Sequence, residues 1–211
     1  MRVIIISGGK APKEATIRNY ITDDTYIISA DSGANALYEY KIVPNVLLGD
    51  FDSIDANVLE YYEGNGCRIS RYKTEKNFTD TEAAVEEAIS LNPKEIYFFG
   101  STGTRIDHTL ANLGLLYRCY LKNIKSYIID ENNKISIHGK NFTLNELKGQ
   151  TFSLHAFGGM VKNLSIKDAK YGLSDYDLYF GDPRTVSNEC TDKPAQITFD
   201  SGILILIRSN D

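Results

Sequence analysis

Leu47–Asp55 reads LLGDFDSID, an apolar run that breaks at Gly49 and is followed by two aspartates separated by one residue. A buried strand that runs straight into like charges has to place those charges at an edge of its sheet. Asp50 and Asp52 can serve there as a solvated loop, as caps for the next helix, or as ligands for a cation. The residues on either side repeat the pattern. Val3–Ile6 is a β-branched run ending at Ser7-Gly8-Gly9, and Tyr26–Ser29 ends at Ala30-Asp31-Ser32-Gly33. Helical patterns over 34–40 and 56–62 separate these runs. Arg68–Tyr72 reads as a fourth strand, 82–89 as a helix, 96–99 as a strand and 108–121 as a long helix. In that last helix Leu110, Leu113, Leu116, Tyr117 and Tyr120 share a helical spacing that predicts the buried face. Strands alternating with helices define an α/β domain with a parallel sheet in three layers.

Beyond Asn123 the texture changes. "YIID", "KISIHG", "TFSLHAF", "LSIKDA", "AQITF" and "GILILI" follow one another with Gly, Asn and Asp between them. Such short, closely spaced strands predict a smaller, all-β sandwich. The expected division is 1–123 for the α/β domain and 124–211 for the sandwich.

Composition narrows the function. The chain has 211 residues, 42% of them hydrophobic, and carries 28 acidic against 23 basic residues for a net charge of −5. That balance argues against a nucleic-acid binder, which needs a basic face. One small polyanion remains possible where a divalent cation bridges acids to phosphates. Cys67, Cys119 and Cys190 are isolated and odd in number, as expected of reduced thiols. The N-terminal apolar run is too short for a signal peptide, and no stretch is long enough to span a membrane. The expectation is a cytoplasmic protein with neither a membrane nor a nucleic-acid partner.

In an open parallel sheet, ligands bind beyond the carboxyl ends of the strands. Asp31, Asp50 and Asp52 all follow strands, and Asp80 lies in "KNFTDTEAA" after the fourth. Hard carboxylate oxygens gathered in this way suit Mg²⁺, which also bridges to substrate phosphates. Each acid also has a plainer role. Asp52 or Ser53 can cap the helix that follows, and Thr79-x-x-Glu82 fits a capping box with Asp80 in the first turn. In "GSTGTRIDHTLANL" (100–113), Gly100 and Gly103 free the backbone for phosphate binding near a helix start. Arg105 matches phosphate oxygens or pairs with Asp107, Asp107 stands at the expected N-cap, and His108 is a base, a phosphate donor or structural. Neither GxxxxGK[ST] nor GxGxxG is present.

Taken in order, "ADSGANAL" (30–37), "LLGDFDSI" (47–54), "TDTEAA" (79–84) and "GSTGTRIDHTLANL" (100–113) resemble the thiamine pyrophosphokinase family, as does the "SN" of Ser187-Asn188 before a strand pair ending in "GILILI". The resemblance implies a homodimer with active sites between subunits that moves a pyrophosphoryl group from ATP to thiamine and releases AMP. It implies Mg²⁺ on Asp31, Asp50, Asp52 and Asp80, with Asp50, Asp52, Asp80 and Arg105 serving catalysis. It further implies ATP contacts from Gly33, Thr79, Gly100, Gly103, Arg105, Asp107 and His108, and thiamine contacts from Ser187 and Asn188. Two positions depart from the family loops: Asn77 stands where an acid is usual, and Thr104 where a second glycine is. Asn77 therefore stays out of the metal set. Animal and yeast members offer thiamine a tryptophan, and this chain has none. The competing readings are another Mg-dependent nucleotidyl or sugar-phosphate transferase, and a non-catalytic sensor of thiamine or nucleotide.

Overall fold

The computed structural model describes residues 1–73, 75, 77–103 and 105–210. The chain divides into two compact units, Met1–Glu131 and Asn132–Asp211.

Six strands build the sheet of the first unit: β1 (Arg2–Ile6), β2 (Thr25–Ala30), β3 (Val46–Gly49), β4 (Arg68–Arg71), β5 (Glu95–Phe99) and β6 (Lys125–Ile129). Their order is β6-β5-β1-β2-β3-β4, and every pairing among them is parallel. Near-continuous apolar runs such as Val3–Ile6 and Ile96–Phe99 are buried along their length, as a sheet covered on both faces requires. Among the described residues five helices supply the cover: α1 (Glu14–Arg18), α2 (Gly33–Glu39), α3 (Ala56–Gly64), α4 (Asp80–Ser90) and α5 (Ile106–Leu121). Ile4, Ile6, Ile27 and Leu47 pack with Ile17, Leu37, Val58 and Tyr62 on one face. Val3 and Ile5 point to the other, where α4 lies over β1, β2 and β3. The Tyr62 hydroxyl, fully buried, donates to Ala34 O (3.0 Å) and so ties α3 to the start of α2. Among the described residues no helix is long and apolar enough to cross a membrane, and the three cysteines are free and buried.

The strand order carries the functional information. The chain winds outward from β1 to β4 and then returns to the far side of β1 to lay down β5. Winding reverses between β1 and β5, and a crevice opens where the loops leaving these two strands part.

Two expectations change. The sequence pattern puts "YIID" in the second domain, but Lys125–Ile129 pairs in parallel with β5, and Glu131 accepts a hydrogen bond from Lys13 N–H (2.6 Å) at the start of α1. The first compact unit therefore runs on to Glu131. The buried side of α5 is Asn112, Leu115, Leu116 and Cys119, while Leu110 is 59% exposed. Apolar residues on both sides of this helix made the spacing ambiguous.

The second unit is a sandwich. One sheet runs β12 (Asn188–Glu189), β9 (Thr151–Ala156), β14 (Leu204–Ser209), β7 (Asn133–His138). The other runs β11 (Leu173–Leu178), β10 (Val161–Lys167), β13 (Ala195–Thr198), β8 (Phe142–Leu144). All of these pairings are antiparallel. Phe152, Leu154 and Leu206 from the first sheet meet Leu164, Ile166 and Ile197 from the second in a single core.

His138 lies within this unit, 2.9 Å from Ser136 Oγ, with its ring stacked on Phe142 at 4.1 Å. Burial, and then the nearby Arg208 charge, push its pKa down to about 4. A depressed histidine binds its proton in the unfolded chain before the folded one. Its contribution to stability is thus complete above about pH 6.5 and is lost as pH falls toward 4. Thermal unfolding between pH 7.5 and 4 is expected to show this loss, on the order of 2 kcal/mol. His138→Gln should flatten that part of the profile, and an unchanged profile in the variant would assign the acid sensitivity elsewhere.

Candidate active site

The site starts from backbone. Ser7 N–H donates to Phe99 O (2.9 Å), Gly9 N–H to Gly100 O (2.8 Å) and Lys10 N–H to Thr102 O (3.0 Å). The loops after β1 and β5 thus zip together past the end of the sheet. They approach too closely for side chains: a Cβ on Gly9 would stand 2.4 Å from Gly100 O. On Gly100, whose φ is +62°, one would stand 2.2 Å from Ser7 O.

A cleft of about 310 Å³ opens beside these loops. Gly8, Gly9, Gly100 and Gly103 supply its backbone walls, with Asp31, Thr79 and Asp80 on its acidic side and Arg105 and His108 at the start of α5. Gly33 is not part of that lining. It is buried behind it, where a Cβ would strike Ile6 O at 2.3 Å, so its smallness lets α2 pack on β1.

The acids converge at the ends of β2 and β3. Asp31, at φ +46°, donates its N–H to Leu48 O (2.8 Å) and is thereby fixed to the neighbouring strand. Phe51, between the other two aspartates, also has positive φ (+68°), a conformation bulky residues hold only when their surroundings enforce it. Asp31, Asp50 and Asp52 each offer an oxygen within 4.8 Å of the others. Asp31 Oδ1 is buried and has no hydrogen-bond partner among the described residues. Burial raises the Asp31 pKa, the Ser32 N–H opposes this, and the charges of Asp80, Asp50 and Asp52 raise it again. The field of Asp80 therefore reaches the trio. Crowded anionic oxygens, one of them buried without a donor, fit a hard cation.

The capping roles sort out residue by residue. The N-cap of α3 is Asp55, so neither Asp52 nor Ser53 caps that helix. Ser53 Oγ donates to Asp52 Oδ1 instead (2.8 Å), and Asp52 N–H to Asp50 Oδ1 (3.3 Å). Thr79 does cap α4, accepting from Glu82 N–H (3.1 Å), but the Glu82 carboxylate turns to Arg118 (3.0 Å) and leaves the box half made. Asp107 is in the first turn of α5, whose N-cap is Arg105. The Arg105 guanidinium donates to both Asp107 oxygens (3.2 and 2.5 Å), and that pairing holds the Asp107 carboxyl down at about 2. Arg105 pairs with Asp107 and also lines the cleft. Thr104 lies outside the described residues.

Ser187 and Asn188 belong to the second unit. Ser187, at φ +56°, donates its N–H to Ser153 Oγ (3.0 Å). The Asn188 amide is buried and occupied: Oδ1 accepts from Tyr171 N–H (3.0 Å) and Glu189 N–H (2.9 Å), and Nδ2 donates to Tyr171 O (2.8 Å).

Sequence reasoning left out several of the cleft's residues. Ser7, Gly8 and Gly9 follow the first strand, and that position alone marks them once the winding order is known. Asn112, which donates to Ser101 O (2.8 Å), passes for an ordinary residue on the polar side of a helix.

Acids crowded beside a glycine-walled cleft at the carboxyl edge of a parallel sheet define a phosphate-handling α/β enzyme. Comparison with known proteins gives the family. Residues 17–128 match the model of the thiamin pyrophosphokinase catalytic domain, and residues 132–204 match that of the thiamin pyrophosphokinase vitamin B1 binding domain. Thiamine pyrophosphokinase of Bacillus subtilis is 32% identical over 209 residues, 98% of either chain. The crystal structure of the Bacillus subtilis thiamine pyrophosphokinase superposes with a TM-score of 0.88 at 30% identity, covering 100% of both chains. That of the Geobacillus thermodenitrificans thiamin pyrophosphokinase gives 0.87 at 27% identity, over 100% of this chain and 98% of its own. The chain belongs to the thiamine pyrophosphokinase family.

The raised Asp31 pKa has a consequence for stability. An acid raised in the folded state destabilises it once ionised, and this penalty grows from the ordinary aspartate value up to the raised one. In chelator at pH 7, Asp31→Asn is expected to melt a few degrees higher than the native chain, since asparagine also tolerates positive φ. The gap should close as pH falls below about 4. An equal or lower Tm at pH 7 would mean that the acids do not strain the fold.

Proposed function

We propose that this chain transfers the pyrophosphoryl group of ATP to the hydroxyl of thiamine, yielding thiamine diphosphate and AMP. The observation that carries this reading is the carboxylate trio, with its orphaned Asp31 oxygen, beside the cleft at the β1–β5 switch point. The trio and the cleft's lining from Ala30 to Asn112 lie within the stretch matched by the catalytic-domain model, and Ser7, Gly8 and Gly9 precede it. The hydroxyl oxygen attacks the β-phosphorus of ATP, the bond from that phosphorus to the bridging oxygen of AMP breaks, and the hydroxyl proton is released.

In this reading Asp31, Asp50, Asp52 and Asp80 hold Mg²⁺, which when bound offsets the charge of the phosphates. The glycine-walled loops offer backbone N–H groups to phosphate oxygens, and Thr79 and His108 border the same space. Arg105 places its positive charge where negative charge builds up on the oxygens of the transferred group. Asp107 is a poor proton acceptor, because Arg105 holds its carboxyl so low. The second domain binds thiamine through the Ser187-Asn188 segment and joins two chains into a homodimer with active sites between subunits. Three buried free thiols suit a cytoplasmic enzyme.

The test is an AMP-release assay with ATP, Mg²⁺ and thiamine, and a control without thiamine. Asp50→Asn and Asp52→Asn are each expected to lower kcat by about 100-fold or more while circular dichroism stays native. Thiamine-dependent AMP formation at native rates in both variants would sink the reading. Pyrophosphate in place of AMP would point to nucleotidyl transfer, and binding of both ligands without turnover to a sensor.

A further inference from the structure

Asn35 stands in the first turn of α2, one helical turn past Asp31. Its Nδ2 donates to Ser53 O (3.2 Å), and the Ser53 hydroxyl donates in turn to Asp52 Oδ1 (2.8 Å). Two hydrogen-bonded steps thus lead from this amide into the carboxylate trio. The first also fixes which way the amide faces, because only its nitrogen can donate to a carbonyl. Oδ1 is then left as an acceptor. It is buried and has no partner among the described residues, the same condition as Asp31 Oδ1.

A buried acceptor without a donor is costly, so two of them connected to one cluster call for an explanation at that cluster. A cation answers for the carboxylate directly. For the amide oxygen, the O–H groups of the water that Mg²⁺ retains when it binds supply the missing donor. Outer partners of this kind orient the inner ligands and tune the affinity of a metal centre.

We propose that Asn35 is a positioning residue of the cation centre. Its Nδ2 tethers the Asp50–Asp52 loop through Ser53, and its Oδ1 accepts a hydrogen bond from the hydration shell of the ion. The proposal rests on the cation reading above.

Mn²⁺, which is visible by electron paramagnetic resonance, is titrated into the full chain without nucleotide or thiamine. The native chain is expected to bind it. Asn35→Ala should raise the Mn²⁺ dissociation constant roughly tenfold or more, with a Tm in chelator within a few degrees of native. Native affinity in Asn35→Ala overturns the proposal and leaves the amide a loop tether only. Should that variant fail to fold, Asn35→Ser is too short to hold either bond and is expected to weaken Mn²⁺ binding likewise. Native affinity in it overturns the proposal as well. A native chain that binds no Mn²⁺ overturns the cation reading and this inference with it, so the two failures are distinguishable.

Discussion

Two backbone hydrogen bonds, Gly9 N–H to Gly100 O and Lys10 N–H to Thr102 O, hold together the loops that leave β1 and β5. These strands lie side by side in the sheet, but the chain reaches them from opposite directions of winding, so their loops would otherwise diverge. The lock draws them into one wall while the cleft stays open beside it. The start of α5, with Arg105 and His108, follows directly from the Gly100 loop. The acid cluster sits at the ends of the next strands outward, where the spacing of the sheet brings β2 and β3 within carboxylate reach of each other.

Much of this was legible in the sequence because its periods are clean. Fully apolar runs of four or five residues fit doubly buried strands, and a run that stops at Asp or Gly announces its carboxyl end. That pattern puts Asp31, Asp50 and Asp52 at one edge of the sheet. What the sequence withheld was sheet order: β5 returning beside β1 is what promotes Ser7-Gly8-Gly9 from a strand terminus to a cleft wall. The assignment of "YIID" failed for a related reason. A short strand looks the same whether it closes a parallel sheet or opens a sandwich, and only its partner decides. Leu110 misled because an amphipathic pattern does not say which of two apolar sides faces inward. Capping proved equally local. Asp52 and Asp107 carry the right side chains for an N-cap, but each helix starts at a different residue.

Electrostatics and fold are at odds in the first unit. A chain with a net charge of −5 concentrates acids where the proposed reading needs a polyanion to dock. Arg105 stands at the same cleft with its guanidinium already paired to Asp107. The crowded acids cost the fold stability, as the raised Asp31 pKa records. Strain at positive φ in Asp31 and Phe51 points the same way, since such conformations gather where geometry serves something other than folding.

The close approach of Gly9 and Gly100 also limits how the chain can change over generations. A single methyl on either residue meets the main chain of the other loop, so neither can be replaced while its counterpart stays as it is. Segments far apart along the polypeptide are therefore inherited as one unit. Any change elsewhere in either loop has to leave the place where they touch as it is.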